Sequence, residues 1–132
     1  MICFPNAKIN IGLRVTEKRS DGFHNIETVF YPIHGLFDCL EFFESDKLVF
    51  ENAGIQIDTP PEKNLCVKAW NVFKLHYDIQ PVHIILLKKI PFGGGLGGGS
   101  ADAAFFLSAL NEYFSVGASK NELEKIINKR IA

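Results

Sequence analysis

Six of the eight residues from Gly93 to Ser100 are glycine, in the stretch Pro91-Phe92-Gly93-Gly94-Gly95-Leu96-Gly97-Gly98-Gly99-Ser100. An apolar run from Val82 to Ile90 leads into it, and a run rich in alanine and leucine from Ala101 to Phe114 follows. A glycine-rich turn between a buried strand and a helix leaves backbone N–H groups uncovered by side chains, and the helix N-terminus adds partial positive charge. Such a turn suits an anion, phosphate above all. A flexible turn or a tight packing corner is the plainer alternative, but each glycine costs about 0.5–1 kcal/mol of chain entropy where nothing requires it. Two common phosphate loops fit poorly. A P-loop needs a lysine before its serine, and here Gly99 stands there. Gly93, Gly95 and Gly98 satisfy Gly-x-Gly-x-x-Gly, but a dinucleotide fold places that motif after its first strand, and several strand-like runs precede it here.

Other residues could act on what the loop holds. Ile9, Ile11, Leu13 and Val15 alternate with Lys8, Asn10, Gly12 and Arg14, the period of a half-buried strand, so Lys8 and Asn10 share one face. A lysine there can stabilise a transferring phosphoryl group; a solvated strand lysine is the alternative. Phe23-His24 follows the turn pair Asp21-Gly22, where a ring can stack on a flat heterocycle while an imidazole reads its edge. A loop anchor beside a solvent-facing histidine explains the same pair. Ser100 offers a hydroxyl to phosphate or to Mg²⁺, and Asp102, in the first turn of the helix, complements its dipole.

The elements that must position these residues follow from pattern. The chain has 132 residues, 47% of them hydrophobic, and a formal net charge of −1, which predicts one core and excludes a global field for nucleic acid or anionic membrane. A first strand is expected within Ile2 to Val15, then a polar loop over Thr16 to Asn25. A meander of strands follows over Ile26 to Ile33, Phe37 to Phe43 and Lys47 to Phe50. Gly54 to Lys63, with Pro60-Pro61, reads as a loop. Asn64 to Tyr77 carries helical spacing with Asn64 as N-cap, and Ser119-Lys120-Asn121-Glu122 is a capping box opening a last helix. Three scattered cysteines, Cys3, Cys39 and Cys66, and an N-terminus without a long apolar run point to a soluble protein of a reducing cytoplasm.

Read together, Pro91 to Ala104 resembles the phosphate-binding motif of the GHMP kinases. Pro5-Asn6-Ala7-Lys8-Ile9-Asn10 resembles that family's N-terminal strand motif, and Lys18-Arg19-Ser20-Asp21-Gly22-Phe23-His24 with Ile26-Glu27-Thr28 resembles its substrate loop. The likeness runs in the family's order over most of the chain. It implies an α/β fold with a mixed, largely antiparallel sheet and helices packed on one side, with ATP as phosphoryl donor and Mg²⁺ bridging the phosphates. It implies catalysis by Lys8 and substrate contacts from Asn10, Phe23 and His24. For ATP it implies Asn64, Leu65, Lys88, Pro91, Gly93, Gly94, Gly95, Leu96, Gly97, Gly98, Gly99 and Ser100, with Ser100 also a Mg²⁺ ligand. The glycine-heavy loop and the Asp21-to-His24 turn are most similar to members acting on the 2-hydroxyl of 4-diphosphocytidyl-2-C-methyl-D-erythritol, a cytidine diphosphate derivative of non-mevalonate isoprenoid synthesis. A mevalonate, homoserine or sugar substrate, or a nucleotide-binding domain that does no chemistry, are the alternatives.

The sequence departs from the family at three points. Ala101 stands where a second serine is common, Phe23 stands where tyrosine is common, and no Gly-x-Asp-x-Pro-type motif with the catalytic aspartate follows the last helix. Residues 1–132 therefore read as an N-terminal ATP-binding lobe, inactive alone. The seam where a second lobe would dock is expected to carry exposed apolar surface, including some of Leu123, Ile126, Ile127 and Ile131, which favours self-association.

Overall fold

The computed structural model describes residues 1–130, with side chains to Asn128. Six strands, β1 (Ile2–Cys3), β2 (Asn6–Lys18), β3 (His24–Phe37), β4 (Cys39–Glu44), β5 (Val49–Gly54) and β6 (Val82–Lys88), combine with helices α1 (Leu65–His76), α2 (Gly98–Tyr113) and α3 (Lys120–Arg130). The α/β expectation holds. β1, β4, β6 and β5 form one sheet in that order, antiparallel except for the parallel β5–β6 pair. Among the described residues no helix is long and apolar enough to cross a membrane.

The core forms between one face of this sheet and the helices. Leu40 and Phe42 of β4 and Val82, Ile84 and Leu86 of β6 point inward at period two, against Ala69, Val72 and Phe73 of α1 and Phe106, Leu107 and Leu110 of α2. Phe42 and Phe106 meet edge to face at 5.3 Å. α1 starts where Asn64 Oδ1 accepts from the Cys66 amide at 2.8 Å, a cap whose loss typically costs about 1 kcal/mol. The capping box also forms: the Glu122 carboxylate accepts from the Ser119 amide at 2.7 Å and from its hydroxyl at 2.8 Å.

Three expectations change. The strands after the polar loop are not a meander, because β6 inserts between β4 and β5, and β3 runs unbroken through His34-Gly35. The first strand divides at Phe4-Pro5: β1 joins the main sheet, while β2 pairs only with β3 in a separate two-stranded ribbon. Neither face of the ribbon's outer part is half-buried, and Ile11, Leu13 and Val29 are 54%, 61% and 61% exposed. The expected seam on α3 is the third correction. Leu123 and Ile126 are buried in the core and Ile127 packs against it, because α3 folds back onto α1 and α2; Ile131 lies outside the described residues. Exposed apolar surface sits on the ribbon instead.

Candidate active site

The inward row Val82, Ile84, Leu86 ends in Lys88, and the chain then leaves the sheet for the glycine run. α2 begins at Gly98, earlier than the alanines suggest, so Gly98, Gly99 and Ser100 form its first turn. Gly97 caps it in the left-handed region at φ 70°, and no side chain caps the helix. The Ala101 amide donates to Gly97 O at 2.9 Å as the first helical bond. The amides of Gly98, Gly99 and Ser100 precede it and have no helical acceptor, the arrangement that binds phosphate at a helix N-terminus. Glycine is required at two of these positions. A Cβ on Gly97 would lie 3.0 Å from Lys8 Cε, and one on Gly98 would lie 2.9 Å from both Lys88 Nζ and Ile90 Cγ2.

β2 closes one side of the loop. The Lys8 amide donates to Leu96 O at 2.9 Å, and Lys8 Nζ donates to Gly95 O at 2.8 Å and to Asn10 Oδ1 at 2.5 Å. The expected common face of Lys8 and Asn10 is therefore real. The ammonium also stands 5.2 Å from the Phe30 ring centroid. Lys8, Phe30, Gly95, Gly97 and Ser100 line an open cleft. On the other side of the loop, Asn64, Leu65, Lys63, Thr59 and Phe92 line a second cleft of about 230 Å³ that reaches Gly99 and Asp102. The loop itself, from Pro91 to Ser100 but without Gly94, borders a hollow that shares residues with both clefts. Asn64, Leu65 and the loop thus converge with Lys8 and Asn10.

Phe23 and His24 do not join them. They lie at the outer tip of the ribbon, where Lys18 pairs with His24, whereas Lys8 pairs with Pro32 at its base. Ten residues of strand separate the two ends, about 30 Å at the usual rise. The tip is well made: Asp21 pairs with Arg19 and accepts from the Phe23 amide at 3.1 Å, and Phe23 is exposed. Backbone bonds and the Arg19 partner hold the Asp21 carboxyl below its ordinary range.

Lys88 borders the second cleft, but its charge is turned inward. Nζ donates to Asp38 Oδ2 and, at 2.8 Å, to Asp102 Oδ2, and all three residues are buried. An ammonium shared by two carboxylates is not a free cation for a nucleotide, which alters what Lys88 was expected to do. Asp102 is more than a partner of the helix dipole. Burial raises its pKa to about 7 despite Lys88, and its Oδ1 finds no hydrogen-bond partner among the described residues. Burial also opposes charge on Asp38, but Lys88 and the Ile90 and Lys89 amides hold it ionised below the usual range. Sequence reasoning passed over Asp38 altogether. Its signal was only a lone acid in an apolar stretch, Leu36 to Leu40.

Known proteins bear on this arrangement. The family described as "GHMP kinases N terminal domain" matches residues 64–131, more than half of the chain. A Parabacteroides distasonis protein named 4-diphosphocytidyl-2-C-methyl-D-erythritol kinase is 57% identical over 126 residues, covering 96% of this chain and 46% of its own length. A Bacteroides fragilis protein of the same name is 52% identical over 129 residues, covering 95% and 47%. Among solved structures, a 4-(cytidine 5'-diphospho)-2C-methyl-D-erythritol kinase superposes with TM-score 0.77 at 32% identity, over 97% of this chain and 46% of its own. A homoserine kinase from Cytophaga hutchinsonii shares the fold at TM-score 0.62 and 22% identity. The chain spans about half the length of the curated relatives it matches. With a glycine loop at a helix N-terminus, a lysine bound to that loop, the family match over residues 64–131, which include the loop, and relatives more than 50% identical over most of the chain, the chain belongs to the GHMP kinases.

Proposed function

We propose that the protein to which this chain belongs phosphorylates the 2-hydroxyl of 4-diphosphocytidyl-2-C-methyl-D-erythritol with ATP, and that residues 1–132 are its N-terminal, ATP-binding lobe. The observation that carries this reading is the uncapped start of α2, where three amides without helical acceptors meet a lysine fastened to the same loop. A cytoplasmic location is part of the same proposal.

The residues present fit a polyphosphate. Gly97 and Gly98 let the loop lie closer to Lys8, and to Lys88 and Ile90 beneath it, than a residue with a side chain would allow, and the amides of Gly98, Gly99 and Ser100 supply donors without a charged side chain. ATP supplies the phosphoryl group and Mg²⁺ offsets the charge of its phosphates. Among the described residues no three His, Cys, Asp or Glu gather as a metal site, so the chain's contribution is the exposed Ser100 hydroxyl. A Mg²⁺ ion held mainly by phosphates and water suits that single ligand. Asn64 and Leu65 line the cleft for the nucleoside end.

On the other side Lys8, oriented by Gly95 O and Asn10, faces the cleft that Gly97 and Ser100 share. There its charge stabilises the transferring group and the acceptor oxygen. Phe23 and His24 hold the cytosine ring, which requires the ribbon to curve toward the loop. The register shifts between Ile11 and Leu13 and between Val15 and Glu17 are where it can bend. In this reading the base that receives the hydroxyl proton lies outside these residues, as the family resemblance implies; Asp102 faces Lys88 in the core and Asp21 is bound at the ribbon tip.

The test is to assay the full-length protein with ATP, Mg²⁺ and a panel of the cytidyl substrate, mevalonate, homoserine and sugars, beside the 132-residue chain alone. Turnover of the cytidyl substrate by the full-length protein, and none by the chain, is expected. Preference for another acceptor would refute the substrate. ATP binding without any phosphoryl transfer would favour a non-catalytic nucleotide-binding domain.

A further inference from the structure

A loop made mostly of glycine cannot define its own shape, since each residue has wide backbone freedom and no side chain to pack. Both ends of this loop are nevertheless fastened to one buried group. Asp38, between β3 and β4, is wholly buried and lines neither cleft. Its Oδ1 accepts from the Lys89 amide at 2.6 Å and the Ile90 amide at 2.8 Å, the last amides before the chain enters the loop. Its Oδ2 accepts from Lys88 Nζ, which also reaches Asp102 on α2, the helix that leaves the loop. Its own amide donates to Pro5 O at 2.9 Å, just ahead of the strand that carries Lys8. Lys88 Nζ lies directly beneath Gly98, where a Cβ would come within 2.9 Å of it.

We propose that Asp38 is a positioning residue for phosphate binding, fixing the entry of the glycine loop through two amides and its exit through Lys88 and Asp102. Stability does not explain the cluster. Well-packed apolar residues of similar volume often serve a core as well as a buried ion group or better. Directional bonds do what apolar burial cannot: they fix the orientation of the Lys89 and Ile90 amides before the loop and, through the Asp102 side chain, the first turn of α2 after it. The role rests on the reading of the loop as a phosphate site.

The test uses Asp38→Asn in the full-length protein, a change that keeps shape and removes charge. Amide hydrogen exchange at Lys8 and Ala101, which donate to Leu96 O and Gly97 O of the loop, is compared with that at Phe106 to Leu110 in the centre of α2. Binding of ATP, inorganic triphosphate and adenosine is measured by calorimetry. Exchange at Lys8 and Ala101 is expected to speed up, and ATP and triphosphate to bind about tenfold more weakly, the loss of one charge-assisted hydrogen bond. The centre of α2 and adenosine binding stay as they were. Should this variant not fold, the triple variant Asp38→Leu, Lys88→Met, Asp102→Leu keeps the volume without charge. It is expected to melt no lower than wild type and still show the loosened loop. Native exchange and native triphosphate affinity in either folded variant would overturn the proposal, as would exchange that rises equally at these two amides and in the centre of the helix. A wild-type protein that binds neither ATP nor triphosphate refutes the phosphate reading itself, a result separable from the others.

Discussion

Gly97 joins two constraints in one residue, a left-handed backbone and a side-chain position occupied by Lys8. Gly97→Val must therefore strain the loop, at about 1–2 kcal/mol or more for a residue with a Cβ, and displace the lysine. In the full-length protein the Michaelis constant for ATP is expected to rise and turnover to fall; unchanged kinetics in a folded variant would contradict the site. Phe23 tests the other end of the substrate. Phe23→Ala should weaken binding of a cytidine ligand by about 1–3 kcal/mol, the range for a base stacked on an aromatic ring, and leave ATP affinity unchanged by calorimetry. The reverse pattern would mean that the two pockets are exchanged. Lys8 and Asn10 were legible in the sequence because they are two residues apart on one strand. The burial of Lys88 was not, although it falls in phase with Val82, Ile84 and Leu86, because its partners lie 50 and 14 residues away. A lysine at the end of an apolar run reads equally well as a strand end reaching water.

At the scale of elements, local hydrogen bonds were readable and coverage was not. Asn64 and Ser119 start α1 and α3 as their spacing indicates, because each cap is completed within three residues. The alternation along β2 gave the strand but not its surroundings: Pro5 ends the first pairing, and the ribbon is covered only at its base, near Ala7 and Lys8, while its outer part meets no second layer. α2 starts at Gly98 against glycine's poor propensity, since Lys88 and Ile90 pack beneath it and the loop has turned already. The join of β6, loop and α2 has a consequence for stability. The Asp102 pKa, raised by burial to about 7, exceeds the ordinary carboxylate value near 4, so the folded chain keeps a proton that the unfolded chain releases. That stabilisation is complete below about pH 4 and is lost as pH rises to about 7, at up to about 1.4 kcal/mol per unit. Urea unfolding without nucleotide should show this decline in the wild type, and Asp102→Asn should remove it. Equal slopes between about pH 5 and pH 7 in the two proteins would show that Asp102 does not titrate this way.

For the whole molecule, the main sheet and three helices close around one core, while the ribbon stands outside it with apolar residues in view. An uncovered two-stranded ribbon with open edges invites pairing with another chain. The 132-residue chain is accordingly expected to self-associate with rising concentration in sedimentation velocity, and Leu13→Lys with Val29→Lys to reduce this; a monomer at every concentration would contradict it. The fold class and the glycine loop were legible because they rest on period and local composition. The separation of Phe23-His24 from the loop was not, since it depends on how the ribbon curves. The central claim is that the amides at the start of α2 hold the phosphates of ATP, with Lys8 beside them. Titrating the isotope-labelled chain with magnesium and a non-hydrolysable ATP analogue, and following each backbone amide by NMR, tests that most directly. The account predicts the largest shifts at Gly97 to Ser100 and at Lys8, with inorganic triphosphate reproducing those in the loop. Saturable binding that leaves these amides unmoved and shifts others instead would contradict it.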